Sequence, residues 1–295
     1  MRTISIIGVG RLGGALAIAL ARKYYEIENL IARAPEKAQI IFDFVGGNLL
    51  DFSPKDLSEI TSDAIFIATQ DFEIENVANA LAKNLRTKPF VFHTSGSLSS
   101  EILKSLQEIG CKVASFHPLV SISESISGAN RFENAYFCIE GDAEAVYAAG
   151  KIAADLGGKS FSIAPENKSL YHAAAVTACG HLVALIDAAI EMLSKCGVDE
   201  GQSKEILLPL IKSTIENLNE QTTAEALTGT FARADVETFE KHLQVLRENV
   251  SQETVEVYLQ LGARSAHLAE RQGADIEKLA ELRKRISLAK GALKC

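Results

Sequence analysis

The sequence has few cysteines, and their arrangement does not suggest a disulfide framework. Five cysteines occur among 295 residues, an odd number, and no two of them form a C-x-x-C pair. They are Cys111, Cys138, Cys179, Cys196 and Cys295. This usage is typical of proteins from a reducing compartment, so a cytoplasmic protein is expected.

The sequence also lacks a basic excess and a long uncharged apolar run. Its formal net charge is −8, whereas a dedicated nucleic-acid binder shows a surplus of lysine and arginine. The longest apolar segment, 172–193, contains His181, Asp187 and Glu191, so it is not expected to span a bilayer. Residues 1–20 resemble a signal peptide superficially, but a strand, a glycine turn and a helix explain their pattern better. Neither a nucleic-acid partner nor membrane association is expected.

The sequence does contain a glycine-rich turn between a predicted strand and a predicted helix. Thr3–Ile7 is an apolar, β-branched run, and an alanine- and leucine-rich segment follows the turn. Gly8 permits a tight turn, Gly10 lets a pyrophosphate approach the backbone, and Gly13 lets helix and strand pack closely. The free N–H groups at the helix start would bind that phosphate. The residues predicted to bind a dinucleotide at this turn are Gly8, Val9, Gly10, Arg11, Leu12 and Gly13.

The end of the second predicted strand indicates which dinucleotide is bound. An NAD site has an acidic residue about 20 residues beyond the glycines, where it binds the ribose 2′-hydroxyl. Glu26 and Glu28 come too early, and the strand ends instead in Ala32-Arg33. An arginine can bind a 2′-phosphate, and Arg11 would add a second guanidinium. The sequence therefore predicts NADP, the alternative being that Arg33 is a solvated residue at a helix start.

Strands and helices alternate over the first half of the chain, and only helices follow. Further strands are predicted at 49–52, 63–69, 89–93, 112–116, 134–139 and 159–163. From residue 167 onward every segment has helical periodicity, beginning with one helix predicted over 167–195. These patterns predict an α/β fold in which a doubly wound Rossmann domain, 1–164, precedes an all-α domain, 165–295. Because open α/β sheets bind ligands at the carboxyl ends of their strands, Thr69, Gln70 and Thr94 are predicted to contact the dinucleotide.

A Rossmann half followed by an all-helical half resembles the pyrroline-5-carboxylate reductase and β-hydroxyacid dehydrogenase superfamily. The chain is more closely similar to a family of Rossmann-like proteins whose C-terminal half is a domain of unknown function. The segments that carry this resemblance are 8–13, 115–119, 171–176 and 227–243. The resemblance implies the two-part fold and the cofactor, and it does not identify a substrate.

The resemblance also implies catalytic candidates. In prephenate dehydrogenases, which look similar over this stretch, a serine and a His-Pro pair serve the hydroxyl that becomes a carbonyl. Ser95 and the His117-Pro118 pair stand at these places. Imidazole titrates in the range that suits this proton transfer, so His117 is predicted as the acid/base group with Ser95 as its hydrogen-bond partner. The alternative is that His117 binds only backbone at the end of its strand.

His172, near the start of the first long helix, is a further catalytic candidate. In hydroxyacid dehydrogenases and ketopantoate reductases a lysine occupies the corresponding place, with asparagines one and two turns later. Here these positions are His172, Val176 and Gly180, so the amides are missing and His172 is either catalytic or a packing residue. No metal is predicted, because Cys179 and His181 lie about 200° apart around the helix.

Arg233, Asp235 and His242 form a polar cluster whose role the sequence leaves open. Arg233 could bind a substrate carboxylate, or it could pair with Asp235 at a helix start. Members of the similar family usually have proline in place of Thr230 and glycine in place of Ala234.

These features predict an NADP-dependent oxidoreductase that transfers hydride to or from a small carboxylated substrate, a hydroxy acid, a keto acid or an imine. Two alternatives stay open: a prephenate-type dehydrogenase, favoured by Ser95 and His117, and an NADP-binding sensor or scaffold without turnover. The small residues of 173–180 and the apolar stripe of the last helix predict a homodimer through the helical domain, as relatives of this architecture pair through such helices.

Overall fold

The computed structural model describes residues 1–293, in which eight strands form one sheet. The strands are β1 (Thr3–Ile7), β2 (Glu26–Ala32), β3 (Asn48–Asp51), β4 (Ala64–Ile67), β5 (Phe90–His93), β6 (Lys112–Pro118), β7 (Tyr136–Gly141) and β8 (Lys159–Phe161). Their order is β3-β2-β1-β4-β5-β6-β7-β8. Neighbouring strands are parallel except for β6 and β7, which are antiparallel. One of the five cysteines, Cys295, lies outside the described residues.

The α-helices in the first part of the chain lie between successive strands, except for the last, which follows β8. They are α1 (Arg11–Arg22), α2 (Gln39–Val45), α3 (Pro54–Ser58), α4 (Asp71–Asn84), α5 (Lys104–Glu108), α6 (Ser125–Gly128), α7 (Ala143–Asp155) and α8 (Lys168–Ala178). The short helices α3 and α6 are not evident from periodicity, since one turn is too short to show it. Asp71 is the first residue of α4, and its carboxylate accepts a hydrogen bond from the Ser97 hydroxyl.

The sheet is buried on both faces, as a doubly wound fold requires. Phe66, Phe92 and Phe116 belong to the apolar core on one face, together with the buried residues of α1 and α7. Ile67 and Val113 belong to the core on the opposite face, together with those of α4 and α5. Because successive strand residues point to opposite faces, these runs are apolar without alternation. The predicted Rossmann architecture is confirmed.

The described residues from Gly180 onward form helices only. These helices are α9 (Gly180–Lys195), α10 (Glu200–Glu220), α11 (Gly229–Ala232), α12 (Val236–Asn249), α13 (Gln252–Arg271) and α14 (Ile276–Ala292). The apolar stripe that the sequence predicts on the last helix is buried in a core with α12 and α13 through Leu279, Leu282, Ile286 and Ala289. The predicted all-α second half is therefore confirmed.

The long helix predicted over 167–195 is interrupted. Cys179, with φ −115° and ψ −71°, departs from helical geometry and separates α8 from α9. Gly180 follows directly, and glycine is a weak helix former, so the break falls where propensity is low. The chain divides into two compact units at this point, 1–179 and 180 onward. The predicted boundary at 164–165 marks the change from alternating strands and helices to helices alone, and it stays a prediction as a domain boundary.

One stretch of the described residues, Pro165–Lys195, is long and apolar enough to cross a membrane by length and composition alone. Its most apolar window has a mean hydropathy of 1.8, and 6% of that window is buried. The stretch carries Glu191, whose carboxylate accepts hydrogen bonds from the Ser251 N–H and the Thr254 hydroxyl at the start of α13. A buried or bonded carboxylate of this kind suits a protein contact better than lipid. The expected lack of membrane association stays a prediction.

Candidate functional site

The turn between β1 and α1 has the geometry for which its glycines are needed. Gly8 has a φ of +94°, and a Cβ there would lie 2.8 Å from the backbone of Ala68. A Cβ on Gly13 would collide with the carbonyl oxygen of Gly8, so glycine allows the helix to approach the strand. Gly10 differs, because the Cβ it would carry meets open space. Gly8 therefore allows the tight turn, Gly13 allows α1 to approach β1, and Gly10 leaves the turn open toward a ligand.

Gly8 and Gly10 line a cleft of about 490 Å³ where the strand order reverses between β1 and β4. Such a reversal is the usual ligand-binding place of an open α/β sheet. Of the predicted dinucleotide contacts, those that line the cleft are Gly8, Val9, Gly10, Arg33, Thr69 and Gln70. The hydroxyl of Thr69 is buried and has no hydrogen-bond partner among the described residues. A buried polar atom without a partner fits a site that is completed by a bound ligand.

Four further predicted contacts lie outside this cleft lining, and one of them, Gly13, packs against the Gly8 backbone. Leu12 is partly buried and packs against the apolar core that contains the buried residues of α1. Arg11 is exposed at the first position of α1 and contributes no lining atom. Thr94 is buried and bonds with its backbone N–H and its hydroxyl to the Ile67 carbonyl oxygen, which holds it to β4.

Arg33 follows the last residue of β2 and lines the cleft, as the sequence predicts. Its guanidinium forms an ion pair with the carboxylate of Glu73, in the first turn of α4. The Arg33 side chain is 68% exposed, whereas that of Glu73 is 19% exposed. Glu73 also lines the cleft, although nothing in the linear sequence singles it out. Its place beside Arg33 depends on the pairing of β1 with both β2 and β4.

The predicted catalytic histidines lie together. His117, in β6, and His172, in α8, have ring centroids 5.8 Å apart in an edge-to-face arrangement. The Nδ1 atom of His117 is 2.7 Å from the Tyr171 hydroxyl oxygen, so the hydrogen-bond partner of His117 is Tyr171. The Nδ1 atom of His172 is buried and has no partner among the described residues.

Ser95 does not serve as the hydrogen-bond partner that the sequence predicts for His117. Its hydroxyl oxygen accepts hydrogen bonds from the backbone N–H groups of Ser97 and Leu98, each at 3.2 Å. A hydroxyl oxygen in such a turn satisfies nearby amides that the loop leaves unpaired. Ser95 therefore shapes the loop after β5 rather than binding the imidazole.

Gly96, in the same loop, separates the two histidines. A Cβ at this position would lie 2.5 Å from His172 Nδ1 and 2.7 Å from His117 Nε2. Real Cβ atoms do not approach neighbours so closely, so only glycine lets both rings keep these positions. The sequence signal for this residue is weak, since a glycine between serines is also typical of any loop.

Lys168 and Tyr171 complete the cluster, and sequence reasoning did not assign them a role. Lys168 is 1% exposed, and its ammonium donates a hydrogen bond of 2.8 Å to the Ser115 hydroxyl oxygen. Burial lowers the pKa of Lys168, while Cys138, Glu140 and Asp71 act in the opposite direction. The one signal available in the sequence is helical spacing, because positions 168, 171 and 172 fall on one face of α8.

The surroundings keep His117 neutral at neutral pH. Burial, together with the positive charge of Lys168 and the neighbouring His172, lowers the pKa of His117 to about 4. A second histidine, His93, is fully buried, and burial lowers its pKa to about 3. Its Nδ1 accepts a hydrogen bond from the Ser95 N–H, and its Nε2 lies 3.1 Å from the Ser99 carbonyl oxygen. His93 is thus a structural group beneath the loop, and His117 is the imidazole that can act as a base.

The polar cluster of the helical half is resolved in part. Asp235 caps α12, accepting hydrogen bonds from the N–H and the hydroxyl of Thr238, and His242 Nδ1 is 2.9 Å from the Tyr258 hydroxyl oxygen. Ala234 has a φ of +49°, a left-handed conformation that favours glycine, the residue that the similar family usually carries there. Among the described residues, no ion pair joins Arg233 to Asp235 and no cluster of three metal-binding side chains occurs.

The strand order and the glycine turn define a Rossmann domain of the dinucleotide-binding class. Comparison of the sequence with known families agrees with this assignment and extends it. A Rossmann-like domain matches residues 2–118, and the domain of unknown function DUF2520 matches residues 135–265. The resemblance that the sequence predicts is thereby confirmed: the chain combines a Rossmann-like domain with a DUF2520 domain. No curated protein sequence matches the chain.

Solved structures share this fold over nearly the whole chain. Protein TM1727 from Thermotoga maritima is 26% identical, with a TM-score of 0.70 over 91% of this chain and 99% of its own. BF3122 from Bacteroides fragilis, described as a candidate NADP oxidoreductase, is 24% identical, with a TM-score of 0.72 over 91% of this chain and 98% of its own. The pyrroline carboxylate reductase of Plasmodium falciparum, solved with NADP bound, is 15% identical, with a TM-score of 0.59 over 96% of this chain and 97% of its own.

Proposed function

We propose that the protein is an NADP-dependent oxidoreductase that transfers hydride to or from a small carboxylated substrate, a hydroxy acid, a keto acid or an imine. The observation that supports this best is the common position of the cleft and the histidine pair. Ile7 and Val77, which line the cleft, belong to the core on one face of the sheet. His117 stands four residues after Val113 in β6, and every second side chain of a strand points to the same face. The side chain of His117 therefore points to the face on which Val113 is buried.

The distance along the sheet edge is also suitable. The order β1-β4-β5-β6 places three interstrand steps between the glycine turn and His117. At about 4.8 Å a step, this amounts to roughly 14 Å. A ligand that begins at the glycine turn and extends along the carboxyl edge therefore points toward the histidines.

Different residues of the chain would bind the cofactor and transfer the proton. NADP, when bound, supplies the nicotinamide carbon that accepts or donates hydride. The open space at Gly10 and the free N–H groups of α1 suit the pyrophosphate. His117, neutral at neutral pH, can take the proton of a substrate hydroxyl, while Tyr171 holds its Nδ1 and leaves Nε2 facing Gly96. The substrate class is suggested by pyrroline carboxylate reductase, whose name gives a carboxylated substrate.

Replacing Arg33 with alanine tests the choice of cofactor. A charge-assisted contact of Arg33 with the 2′-phosphate contributes about 1.5–3 kcal/mol, so Arg33→Ala should weaken NADPH binding about tenfold or more. NADH lacks this phosphate, and its affinity should change little. Fluorescence titration of both cofactors measures the two losses. Arg131→Ala, which removes an exposed arginine outside the cleft, controls for the change in net charge. Equal losses for NADPH and NADH would contradict the proposal.

A sensor or scaffold that binds NADP without turnover is the second candidate. It is favoured by Val176 and Gly180, which stand where hydroxyacid dehydrogenases carry asparagines. Tight NADPH binding without oxidation or reduction of hydroxy acids, keto acids or imines would support it. The alternative of a prephenate-type dehydrogenase is less favoured, because the Ser95 hydroxyl oxygen accepts hydrogen bonds from its own loop rather than binding His117.

We also propose that the protein is a homodimer through α9 and α10. No residue of α9 is buried in the single chain, and Ser203 is the one buried residue of α10. Val183 and Leu210 are 67% and 65% exposed, which leaves apolar helices without cover. Light scattering should give twice the 31.8 kDa of one chain, and Leu210→Glu should shift the protein toward the monomer. Val245→Glu, on α12, is the control. A monomeric wild type at micromolar concentration would contradict the proposal.

A further inference from the structure

The ion pair between Arg33 and Glu73 has a consequence for cofactor choice. Of the described residues that line the dinucleotide cleft, these two carry its charged side chains, one positive and one negative. The arginine predicted to bind the 2′-phosphate is therefore already bound to a carboxylate of the same chain. A phosphate that enters must displace this carboxylate or share the guanidinium with it.

Glu73 is less exposed than its partner and lies at a helix start. It lies in the first turn of α4, where the helix dipole stabilises a negative charge, and its side chain is 19% exposed. Arg33 follows a strand end and is 68% exposed. The carboxylate thus stays at the wall of the cleft, and the guanidinium is the group that can move between two anions.

We propose that Glu73 sets the ratio of the NADP and NAD affinities by competing with the 2′-phosphate for Arg33. This inference rests on the proposed function, because it requires the cleft to bind a dinucleotide. Glu73 lowers the affinity for NADPH relative to NADH in two ways. It occupies the guanidinium of Arg33, and its negative charge repels the 2′-phosphate. NADH carries a hydroxyl in place of this phosphate, so Glu73 costs it little.

The variant Glu73→Gln tests the proposal. It keeps the size of the side chain and removes its charge, so Arg33 becomes available to the phosphate. An exposed ion pair contributes at most about 1 kcal/mol, which is a factor of about five, so NADPH should bind roughly three- to fivefold more tightly. The affinity for NADH should stay within about twofold of wild type. Fluorescence titration gives both constants, and thermal unfolding confirms that the variant is folded.

Two further variants separate this mechanism from a general effect of charge. Glu75→Gln removes the same charge from an exposed position of the same helix, and it should change neither affinity. In the Arg33→Ala background, Glu73→Gln should lose most of its benefit for NADPH, because there is no guanidinium to release. If Glu73→Gln increases the affinity for NADPH just as much in that background, repulsion between Glu73 and the phosphate alone explains the effect. This result would overturn the proposed competition for Arg33.

The outcomes distinguish the inference from the function on which it rests. If wild type binds neither NADPH nor NADH, the proposed function is wrong, and the inference with it. If both bind and Glu73→Gln matches Glu75→Gln, the function stands and the inference is wrong. If Glu73→Gln instead weakens NADH about tenfold and leaves NADPH unchanged, Glu73 binds the ribose hydroxyls, which also overturns the competition.

Discussion

Replacing His117 with asparagine is expected to lower turnover by about 10²–10⁴-fold while the affinity for NADPH stays unchanged. His117 lies at the carboxyl end of β6 on the face of the sheet that the cleft shares, and it is neutral at neutral pH. Asparagine keeps a polar side chain of similar reach, yet it cannot take up a proton. Steady-state rates with NADP and a panel of 2-hydroxy acids, and with NADPH and cyclic imino acids, measure the loss. Fluorescence titration measures the cofactor affinity.

Other histidines of the chain provide the comparison for this variant. His172→Asn should cost less than His117→Asn, because His172 is expected to act mainly by positioning the substrate from α8. His267→Asn, at an exposed position of α13, should leave the rate unchanged. A His117→Asn variant that keeps the wild-type rate, beside a His172→Asn variant that loses it, would make His172 the acid/base group and contradict the assignment.

The free energy of unfolding is expected to fall steeply as the pH is lowered from about 6.5 toward 4. His93 and His117 have pKa values of about 3 and about 4 in the folded protein, below their ordinary value of 6.5, chiefly because of burial. Both are neutral when folded and take up a proton on unfolding within this window. Their stabilising effect is therefore present above pH 6.5 and is lost as the pH falls through the folded values. Each contributes a slope of about 1.4 kcal/mol per pH unit.

Denaturant titrations at a series of pH values measure this slope. The variant His117→Asn removes one of the two groups, so the slope between pH 6 and 5 should fall to roughly half. His267→Asn, on α13, is the matched control and should leave it unchanged. Carboxylates with lowered pKa values, such as Asp63, which accepts hydrogen bonds from the Arg2 and Thr3 N–H groups, lose their stabilising effect mainly below about pH 5. A flat stability profile from pH 6.5 to 4.5 would show that the buried histidines are protonated in the folded state.

Local patterns in the sequence locate the glycine turn and Arg33, which line the cleft. The strand, turn and helix at Thr3–Arg22 are specified by neighbouring residues, and the needs of Gly8 and Gly13 follow from the turn itself. Arg33 is located by counting from that turn along a single strand. None of these inferences requires knowledge of how distant segments meet.

The histidine half depends on tertiary structure and was predicted less completely. Tyr171 and Lys168 contact strand residues that precede them by more than fifty positions, and no periodicity shows such contacts. The serine predicted to bind His117 instead binds its own loop, because local amides compete for its oxygen. Glu73 was missed for the same reason, since its partner lies on a different strand. The interruption at Cys179 was missed because alanine-rich flanks on both sides favour helix.

The antiparallel pairing of β6 with β7 also constrains how the chain can vary. Cys138 stands directly opposite His117 in this pair, so the two side chains lie on the same face of the sheet. Inserting a single residue into β7 before Cys138 would turn that side chain to the other face and bring a core phenylalanine toward the histidine. The connection 119–135 is constrained by other contacts: the Ser125 hydroxyl of α6 donates hydrogen bonds to the carbonyl oxygens of Gly10 and Arg11, and Phe132 is buried in the core. The register of β7 against β6 therefore decides which side chains of β7 lie beside His117.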